Sequence, residues 1–390
     1  MNLLTLLTDA YGGRGGIAKF NRDLCRALSA EPLAARVTAL PRVAPVEPIE
    51  YVPPRVDYHP DAAGSKVAYA WNVLRATCNV PRATPHVSRP AFDAVLCGHI
   101  NLLPVAVLAS WLQGAPLLLV LHGIDAWTPH DSWLVRKLLP QADSFVTVSQ
   151  CTKDRFLEWA PLRAEQGRVV PDCIDLGAYD PGPKRDDLLG RYDLHDRTVL
   201  LTLGRLSSDE QYKGHDEVLE ILRELANEIP DIAYLICGDG DDRPRLEAKA
   251  KRLGVEDRTV FAGYVPEDEK EDHYRLADAF VMPGRGEGFG IVYLEAMACG
   301  VPVVASTADA SREAVRDGQL GVVVDPDDPG DLRKGIHSAL GADRGVPDGL
   351  EYFSYDAFAE RCHLLMEERF DTADIVEHVH SSPNKHDEAT

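Results

Sequence analysis

Two glutamates eight residues apart, Glu287 and Glu295, lie in a stretch that joins a glycine-rich turn to a run of helix formers, VMPGRGEGFGIVYLEAMACGVPVV over residues 281–304. Glycines alternate through the turn, so backbone N–H groups can approach a ligand without obstruction from Cβ atoms. Good helix formers follow from about Phe289 to Cys299, so the turn leads into the positive end of a helix dipole, which stabilises phosphate groups. Eight helical residues rise about 12 Å, so the two carboxylates can lie near the two ends of one extended ligand. The spacing suits a nucleoside diphosphate sugar.

A glycine-rich turn alone is also typical of any tight strand-to-helix loop in a parallel sheet, with both glutamates in solvent. The complete string, in which Glu-Ala-Met-Ala-Cys-Gly-Val-Pro-Val-Val follows Gly-Phe-Gly, resembles the retaining GT-B glycosyltransferases of family four. The resemblance implies that Glu287 lies against the donor sugar and that Glu295 hydrogen-bonds the ribose hydroxyls. It also implies that the turn and the first helical residue bind the donor through Gly288, Phe289, Gly290 and Ile291.

Two bases in the second half of the chain could bind a diphosphate. Arg205 follows Gly204 at the end of a predicted strand over residues 199–203, and Lys213 follows a polar loop. A guanidinium and an ammonium at fixed positions can stabilise a leaving group as a metal does in other enzymes. Such bases are usually surface residues, but their spacing resembles the family's Gly-Arg-Leu to Lys-Gly element. We therefore expect Arg205 and Lys213 to be catalytic and Gly204 to contact the donor, with no metal or other cofactor required.

Two acidic pairs have the Asp-x-Asp pattern that binds a metal and a diphosphate in a different glycosyltransferase fold. They are Asp239 with Asp241 and Asp325 with Asp327. Short acidic pairs also arise by chance in the turns of an acidic chain. We therefore predict no metal site at either pair.

A histidine follows a predicted strand in the first half of the chain. The strand spans residues 117–121 and ends at His122, and the carboxyl ends of strands are where open α/β sheets bind ligands. A lone histidine is most often structural, but His122 resembles the family's histidine near a distal hydroxyl of the donor sugar. His122 is therefore a catalytic candidate after the glutamate pair, and His99 is the next.

Two further elements resemble parts of the family's donor site. Gly15 and Gly16 close a glycine cluster between the first predicted strand and the first predicted helix. As a dinucleotide fingerprint the cluster is incomplete, and a flexible surface loop is the alternative. The resemblance implies that Gly15 and Gly16 face the donor phosphate and the acceptor. It also implies that Tyr264 and Val265 belong to the element that holds the nucleotide base.

The composition is that of a globular protein of two domains. The chain has 390 residues, 45% of them hydrophobic, and carries 41 Lys plus Arg against 62 Asp plus Glu, a formal net charge of −21. This charge argues against nucleic acid as a partner. The eight cysteines are scattered without paired spacing, so we expect a reducing compartment, the cytoplasm, rather than a disulfide framework.

A basic segment suggests a second location. Residues 66–89 carry spaced bases among aromatic and aliphatic residues. Basic amphipathic segments bind anionic surfaces, so this region could hold the protein weakly at the inner face of the membrane, or it could be a solvated insertion. The oligomeric state is left open.

Alternating strand and helix patterns predict an α/β protein with two Rossmann-like, doubly wound parallel-sheet domains facing a central cleft, the GT-B arrangement that the resemblance implies. We expect an acceptor-side domain over residues 1–178 and a nucleotide-sugar-binding domain over 179–352. The stretch from 175 to about 197 is rich in Pro, Gly and charge, which indicates a linker. By resemblance, a final helix over 353–370 returns to the first domain. Residues 371–390 are polar with little apolar content, which predicts a disordered tail.

These features predict a retaining glycosyltransferase that moves a hexose from GDP-mannose or a UDP-hexose to a hydroxyl of a glycan or lipid-linked acceptor, by a metal-independent front-face reaction. One alternative is a catalytically inactive protein that binds nucleotide sugars in a regulatory or scaffold role. Another is a nicotinamide-dependent oxidoreductase, against which the incomplete glycine fingerprint argues.

Overall fold

The computed structural model describes residues 1–43, 51–78 and 92–370. The predicted disordered tail and part of the basic segment over 66–89 lie outside these residues. Within them, no helix is both long and apolar enough to cross a membrane.

The first domain is built on a parallel sheet of seven strands in the order β3-β2-β1-β4-β5-β6-β7. The interior strands are almost continuously apolar because helices cover both faces of the sheet. The strands are β1 (Asn2–Leu7), β2 (Arg36–Pro41), β3 (Val56–Tyr58), β4 (Ala94–Cys97), β5 (Leu117–Leu121), β6 (Ser144–Thr147) and β7 (Gly167–Val169).

The second domain has a parallel sheet of six strands in the order β10-β9-β8-β11-β12-β13. Its strands are β8 (Thr198–Leu203), β9 (Ile232–Cys237), β10 (Thr259–Gly263), β11 (Ala279–Val281), β12 (Val303–Ser306) and β13 (Val322–Val324). Two parallel α/β domains confirm the predicted fold class.

Helices alternate with the strands in both domains. Those of the first domain are α1 (Gly16–Ser29), α2 (Lys66–Cys78), α3 (Leu103–Gln113), α4 (Trp133–Leu138) and α5 (Gln150–Leu157). The later helices are α6 (Asp186–Tyr192), α7 (His215–Glu228), α8 (Arg243–Leu253), α9 (Lys270–Arg275), α10 (Ile291–Ala298), α11 (Ser311–Ala314), α12 (Pro329–Leu340) and α13 (Tyr355–Phe370).

The helices of the first domain form two layers, one on each face of its sheet. Along β1, Leu4 and Leu6 pack with the buried residues of α2 to α5, whereas Leu3 and Leu7 pack with those of α1 and α13. The last helix thus lies on the first domain. His363 of α13 donates from Nε2 to a backbone carbonyl oxygen of α1 over 2.7 Å.

The segment between the sheets is more ordered than its composition indicates. It contains α6, and Leu188 and Leu194 are completely buried in the main core. The linker prediction relied on the Pro, Gly and charged residues of this segment and gave too little weight to the apolar residues among them. These apolar residues pack against the second domain. This domain therefore begins before β8.

Each sheet has one point at which the strand order reverses direction along the sheet, and ligands of open α/β sheets bind outside the carboxyl ends of the strands there. In the second sheet the reversal lies between β8 and β11. The segments that follow these strands carry Arg205, Lys213 and Glu287. In the first sheet it lies between β1 and β4, which precede the glycine cluster and His99.

Candidate active site

Glu287 sits in the turn after β11, and the turn is held by a neighbouring carboxylate. The backbone N–H of Glu287 donates to Asp309 Oδ2 over 2.9 Å, and Asp309 Oδ1 accepts from the backbone and hydroxyl of Ser311. A Cβ on Gly286 would lie 2.4 Å from the ring of Tyr212. This close packing explains why the turn needs a glycine at that position.

Lys213 and Glu287 form a salt bridge at the carboxyl ends of β8 and β11. Their Nζ and Oε1 atoms are 2.8 Å apart, and Glu210 Oε2 lies 3.5 Å from the same Nζ. Burial by itself lowers the pKa of Lys213, but the Glu287 and Glu210 carboxylates outweigh it and hold the pKa above its ordinary value. A lysine fixed in this way keeps its positive charge at any ordinary pH, as phosphate binding requires.

Arg205 lies beside this pair but is far more exposed. Its guanidinium pairs with Glu210, and 79% of its side chain is accessible to solvent. Glu210 therefore joins the two bases, since it contacts both Arg205 and Lys213. The two bases flank the position that the fold assigns to a ligand. A Cβ on Gly204 would lie 3.5 Å from the side chain of Lys213.

Glu295 is buried on α10, with 2% of its surface exposed. Its Oε2 accepts from the hydroxyl of Tyr274 over 2.8 Å, and its Oε1 lies 3.3 Å from Lys270 Nζ. The structure thus gives Glu295 protein partners, and it does not place the carboxylate in the same cluster as Glu287. Contact with ribose hydroxyls stays a prediction from the resemblance.

The two domains meet at the glycine turn. A Cβ on Gly288 would lie 2.0 Å from the carbonyl oxygen of His122 and 2.7 Å from Cα of Gly123, and a Cβ on Gly16 would lie 3.8 Å from Ile291. Residues from the first domain therefore touch the turn that carries Glu287. Gly15, whose φ is +90°, is the N-cap residue of α1 and directly precedes Gly16.

His122 is partly buried where β5 ends. Its Nε2 lies 2.8 Å from the carbonyl oxygen of Gly98, and since a carbonyl only accepts, the neutral ring carries its proton on Nε2 and leaves Nδ1 as an acceptor. Burial lowers the pKa of His122 to about 4, against the opposing effect of that hydrogen bond. The ring is therefore neutral at physiological pH and can accept a hydrogen bond from a hydroxyl.

His99 and Asp125 surround this histidine. The ring centroids of His99 and His122 are 6.0 Å apart, and His99 Nε2 lies 3.9 Å from Asp125 Oδ2. Burial, followed by the neighbouring His122, lowers the pKa of His99 to about 3, and burial raises the pKa of Asp125 to about 7. Asp125 also accepts the backbone N–H of His122 over 3.2 Å, so it orients the end of β5. Sequence reasoning missed Asp125.

The remaining predicted donor residues have different placements. Gly290 has φ +96° at the start of α10, which shows why helix begins at Ile291 and not at Phe289 as expected. Phe289 is buried and its ring packs edge-on against Phe353 at 5.4 Å, so its side chain serves the core. Tyr264 is exposed and has the guanidinium of Arg14 4.9 Å from its ring centroid, whereas Val265 is buried.

The acidic pairs have local structural roles. Asp241 accepts from the backbone N–H and hydroxyl of Ser208 over 2.8 and 2.6 Å, and Asp325 accepts from the N–H of Asp327. Within the described ranges, no group of three or more His, Cys, Asp or Glu is arranged to hold a metal ion.

A contact between the domains was also missed. Glu313 of α11 accepts the backbone N–H groups of Gln150 and Cys151, each over 2.7 Å, so a residue of the second domain caps helix α5 of the first. Arg155 on α5 donates in return to the carbonyl oxygen of Ala308 over 2.9 Å. No local sequence pattern predicts a helix cap whose residue lies more than 150 residues away in the chain.

Two family models match the chain. The model of glycosyl transferases group 1 matches residues 190–346, and that of Glycosyltransferase Family 4 matches residues 14–178. Together they cover both domains.

Curated relatives match part of the chain. A GDP-mannose-dependent alpha-(1-6)-phosphatidylinositol monomannoside mannosyltransferase of Mycolicibacterium smegmatis is 39% identical over 203 residues, which are 50% of this chain and 52% of that protein. A D-inositol 3-phosphate glycosyltransferase of Corynebacterium jeikeium is 33% identical over 217 residues, 52% of this chain and 51% of that protein. The chain thus spans about half the length of the curated relatives it matches.

Solved structures share the fold over nearly the whole chain. Anabaena HepE in complex with UDP-glucose superimposes with a TM-score of 0.70 at 22% identity and covers 94% of this chain and 100% of its own. Sucrose-phosphate synthase from Thermosynechococcus elongatus gives 0.71 at 19% identity, over 95% and 99% of the two chains. With both family models matched and this fold shared, the chain belongs to the group 1 glycosyltransferases of family four and has their GT-B fold.

Proposed function

We propose that this protein transfers a hexose from a nucleoside diphosphate sugar to a hydroxyl group of a glycan or lipid-linked acceptor, with retention of the anomeric configuration and without a metal. The observation that carries the proposal is the Lys213–Glu287 pair. This pair lies at the strand-order reversal of the second sheet. Gly288, which follows Glu287, packs against the backbone of His122, so the pair lies close to the first domain.

The charges at this position suit a leaving diphosphate. Lys213 and Arg205 supply two cations beside the start of α10, whose N-terminal backbone dipoles add positive potential. Lys213 is held by two carboxylates before any ligand binds, so its position is set in advance. A fixed cation of this kind stabilises the charge that develops on the departing phosphate oxygen.

The sugar would lie between Glu287 and His122. In the proposed reaction the bond from the anomeric carbon to the diphosphate oxygen breaks, and the acceptor oxygen bonds to the same face of that carbon. The acceptor proton passes to the leaving phosphate oxygen. Glu287 and the neutral ring of His122 would hydrogen-bond sugar hydroxyls and hold the ring in place, since His122 Nδ1 is an acceptor.

GDP-mannose is the first donor to test, because relatives that are 39% and 34% identical over the matched region are named as GDP-mannose-dependent. A UDP-hexose is the second, because HepE was solved with UDP-glucose. The names of these relatives include phosphatidylinositol monomannoside, and that of the Corynebacterium jeikeium relative includes inositol 3-phosphate, which supports an inositol or lipid-linked hydroxyl as acceptor here. All eight cysteines are free thiols, which supports the cytoplasm as the site of the reaction.

The test is a transfer assay with the full chain, in EDTA, against a panel of both donors and of inositol, inositol phosphate, phosphatidylinositol and glycan acceptors. The proposal predicts transfer from one donor, and proton NMR of the product should show the same anomeric configuration as in the donor. An inverted product would refute the retaining reaction. Donor binding without transfer to any acceptor would support the scaffold alternative.

A further inference from the structure

Large apolar side chains are exposed on the outer surface of helices α2, α3 and α4. Trp71, Trp111 and Trp133 are 62%, 77% and 65% exposed, one on each helix. The other two tryptophans, Trp127 and Trp159, are partly buried, and their indole N–H groups donate within the protein. The exposed indoles therefore cluster on one layer of the first domain.

These three helices form a continuous surface. Helix α3 packs between α2 and α4, and Gln113 at its end donates to the carbonyl oxygen of Thr77 on α2 over 2.7 Å. Val67 shares the outer stripe of α2 with Trp71, and Leu108 shares that of α3 with Trp111. Large exposed apolar patches of this kind mark interaction sites.

The charge of this surface is opposite to that of the chain as a whole. The three helices carry Lys66, Arg75, Arg136 and Lys137 and contain no Asp or Glu, whereas the whole chain has a formal net charge of −21. All four bases are exposed. Lysines and arginines next to exposed indoles, with no acids on the same helices, match the interface of a membrane that carries anionic lipids.

We propose that the α2–α4 surface, defined by these four bases and the three exposed tryptophans, docks the protein on an anionic lipid bilayer. Indole rings insert among headgroups because they are apolar with one polar N–H. The bases meet lipid phosphates. A second copy of the chain is a poorer occupant, since a two-fold contact would bring the same bases of both copies together. This inference goes beyond the proposed transfer activity and does not depend on it.

The surface also has a defined relation to the candidate active site. Helices α2 to α5 cover one face of the first sheet, and α1 with α13 cover the other. Docking through α2–α4 therefore leaves α13 away from the bilayer. Helix α4 is joined to the loop after β4 by the hydrogen bonds of His130, whose Nε2 lies 2.7 Å from Asn101 Oδ1, so the docked layer lies next to the segment that follows His99.

Vesicle flotation of the full chain tests the proposal. We expect binding to vesicles of phosphatidylcholine and phosphatidylglycerol, little binding to phosphatidylcholine alone, and loss of binding as salt is raised. The combined variant Trp71→Ser, Trp111→Ser, Trp133→Ser should bind at least about tenfold more weakly, and so should Arg75→Gln, Arg136→Gln, Lys137→Gln. Each variant is checked for native circular dichroism and thermal unfolding.

Matched controls lie on other surfaces. Lys251→Gln with Arg252→Gln on α8 removes two exposed bases, and Leu364→Ser on α13 removes an exposed apolar side chain. Both should float as the parent does. Independently, tryptophan fluorescence of the parent should shift to shorter wavelength on addition of anionic vesicles.

Three results would overturn the proposal. One is the absence of flotation with anionic vesicles. The second is equal flotation of the parent and the tryptophan variant. The third is a dimer, seen by sedimentation, that the tryptophan variant abolishes while vesicles bind neither protein, since this would assign the surface to contact between copies of the chain.

Discussion

Replacing Lys213 with methionine removes the charge of the central base and keeps most of its length. The Nζ of Lys213 lies 2.8 Å from Glu287 Oε1, and the side chains are 14% and 16% exposed. At this distance the gross attraction is roughly 6 kcal/mol for an effective dielectric constant near 20. Breaking a fully buried pair costs about 3–5 kcal/mol. Because both groups keep some contact with water, we expect a loss of about 2–3 kcal/mol in the free energy of unfolding.

The effect on catalysis should be separate from the effect on stability. If Lys213 stabilises the charge of the departing diphosphate, its loss should lower kcat/KM by about 10²–10³-fold, the usual cost of removing one fixed electrostatic partner of a transition state. Lys334→Met on α12 replaces an exposed lysine of the same domain and should change neither quantity.

The double variant Lys213→Met, Glu287→Gln distinguishes a structural from a catalytic role. Without the lysine, Glu287 is a poorly hydrated carboxylate that has lost its cation, and changing it to glutamine should restore part of the lost stability. Activity should stay low. The assays are urea unfolding and steady-state kinetics with the donor identified by the transfer panel. A double variant that regains activity together with stability, or a Lys213→Met protein within about threefold of the parent in kcat/KM, would refute the reasoning.

Three further predictions concern the contacts around this pair. Gly288→Ala places a Cβ 2.0 Å from the carbonyl oxygen of His122, so it should displace the turn that carries Glu287 and lower both kcat and kcat/KM at least about tenfold in steady-state kinetics. Glu313→Gln weakens the cap on α5 because a neutral amide accepts hydrogen bonds less strongly than a carboxylate, and it should lower the free energy of unfolding by about 1 kcal/mol. His122→Asn should alter the pH dependence of stability. The folded pKa of His122 is lowered from 6.5 to about 4, so its contribution is fully present above about pH 6.5 and is lost as pH falls towards 4, and the stability difference between parent and variant should shrink by about 1–3 kcal/mol over that window.

Each of these predictions has a control and a contrary result. Gly345→Ala adds a Cβ with nothing within 4 Å and should leave kcat as it is, whereas a fully active Gly288→Ala protein would show that the contact between the turn and His122 is not used. Glu360→Gln on the exposed side of α13 is the control for Glu313→Gln, and equal stability of the two would remove the capping role. A pH-independent difference between the parent and His122→Asn would contradict the buried, neutral state of the ring.

The elements around the strand-order reversals could be predicted from sequence because their signals are local. Alternating glycines predicted the turn and a run of helix formers predicted the following helix, and His122 was recognisable because it directly follows an apolar strand. The alternation of strands and helices gave both sheets. The resemblance added roles that spacing alone does not supply.

What could not be predicted depends on contacts between distant segments. Asp309 holds the backbone of Glu287 from 22 residues away, and Tyr274 with Lys270 surrounds Glu295 from a preceding helix. The start of α10 was placed two residues early because a glycine with φ +96° and a buried Phe289 interrupt a sequence of good helix formers. Tertiary packing decides each of these features, and packing has no periodic signature in the sequence.

The most direct test of the central claim is calorimetric titration of the purified chain with GDP-mannose, UDP-glucose, GDP and UDP in EDTA, repeated with Lys213→Met. We predict that one nucleotide and its sugar bind without metal, and that Lys213→Met weakens binding of the diphosphate at least about tenfold. If no nucleotide binds the parent, or if Lys213→Met binds as tightly as the parent, the pair at the reversal of the second sheet is not the donor site.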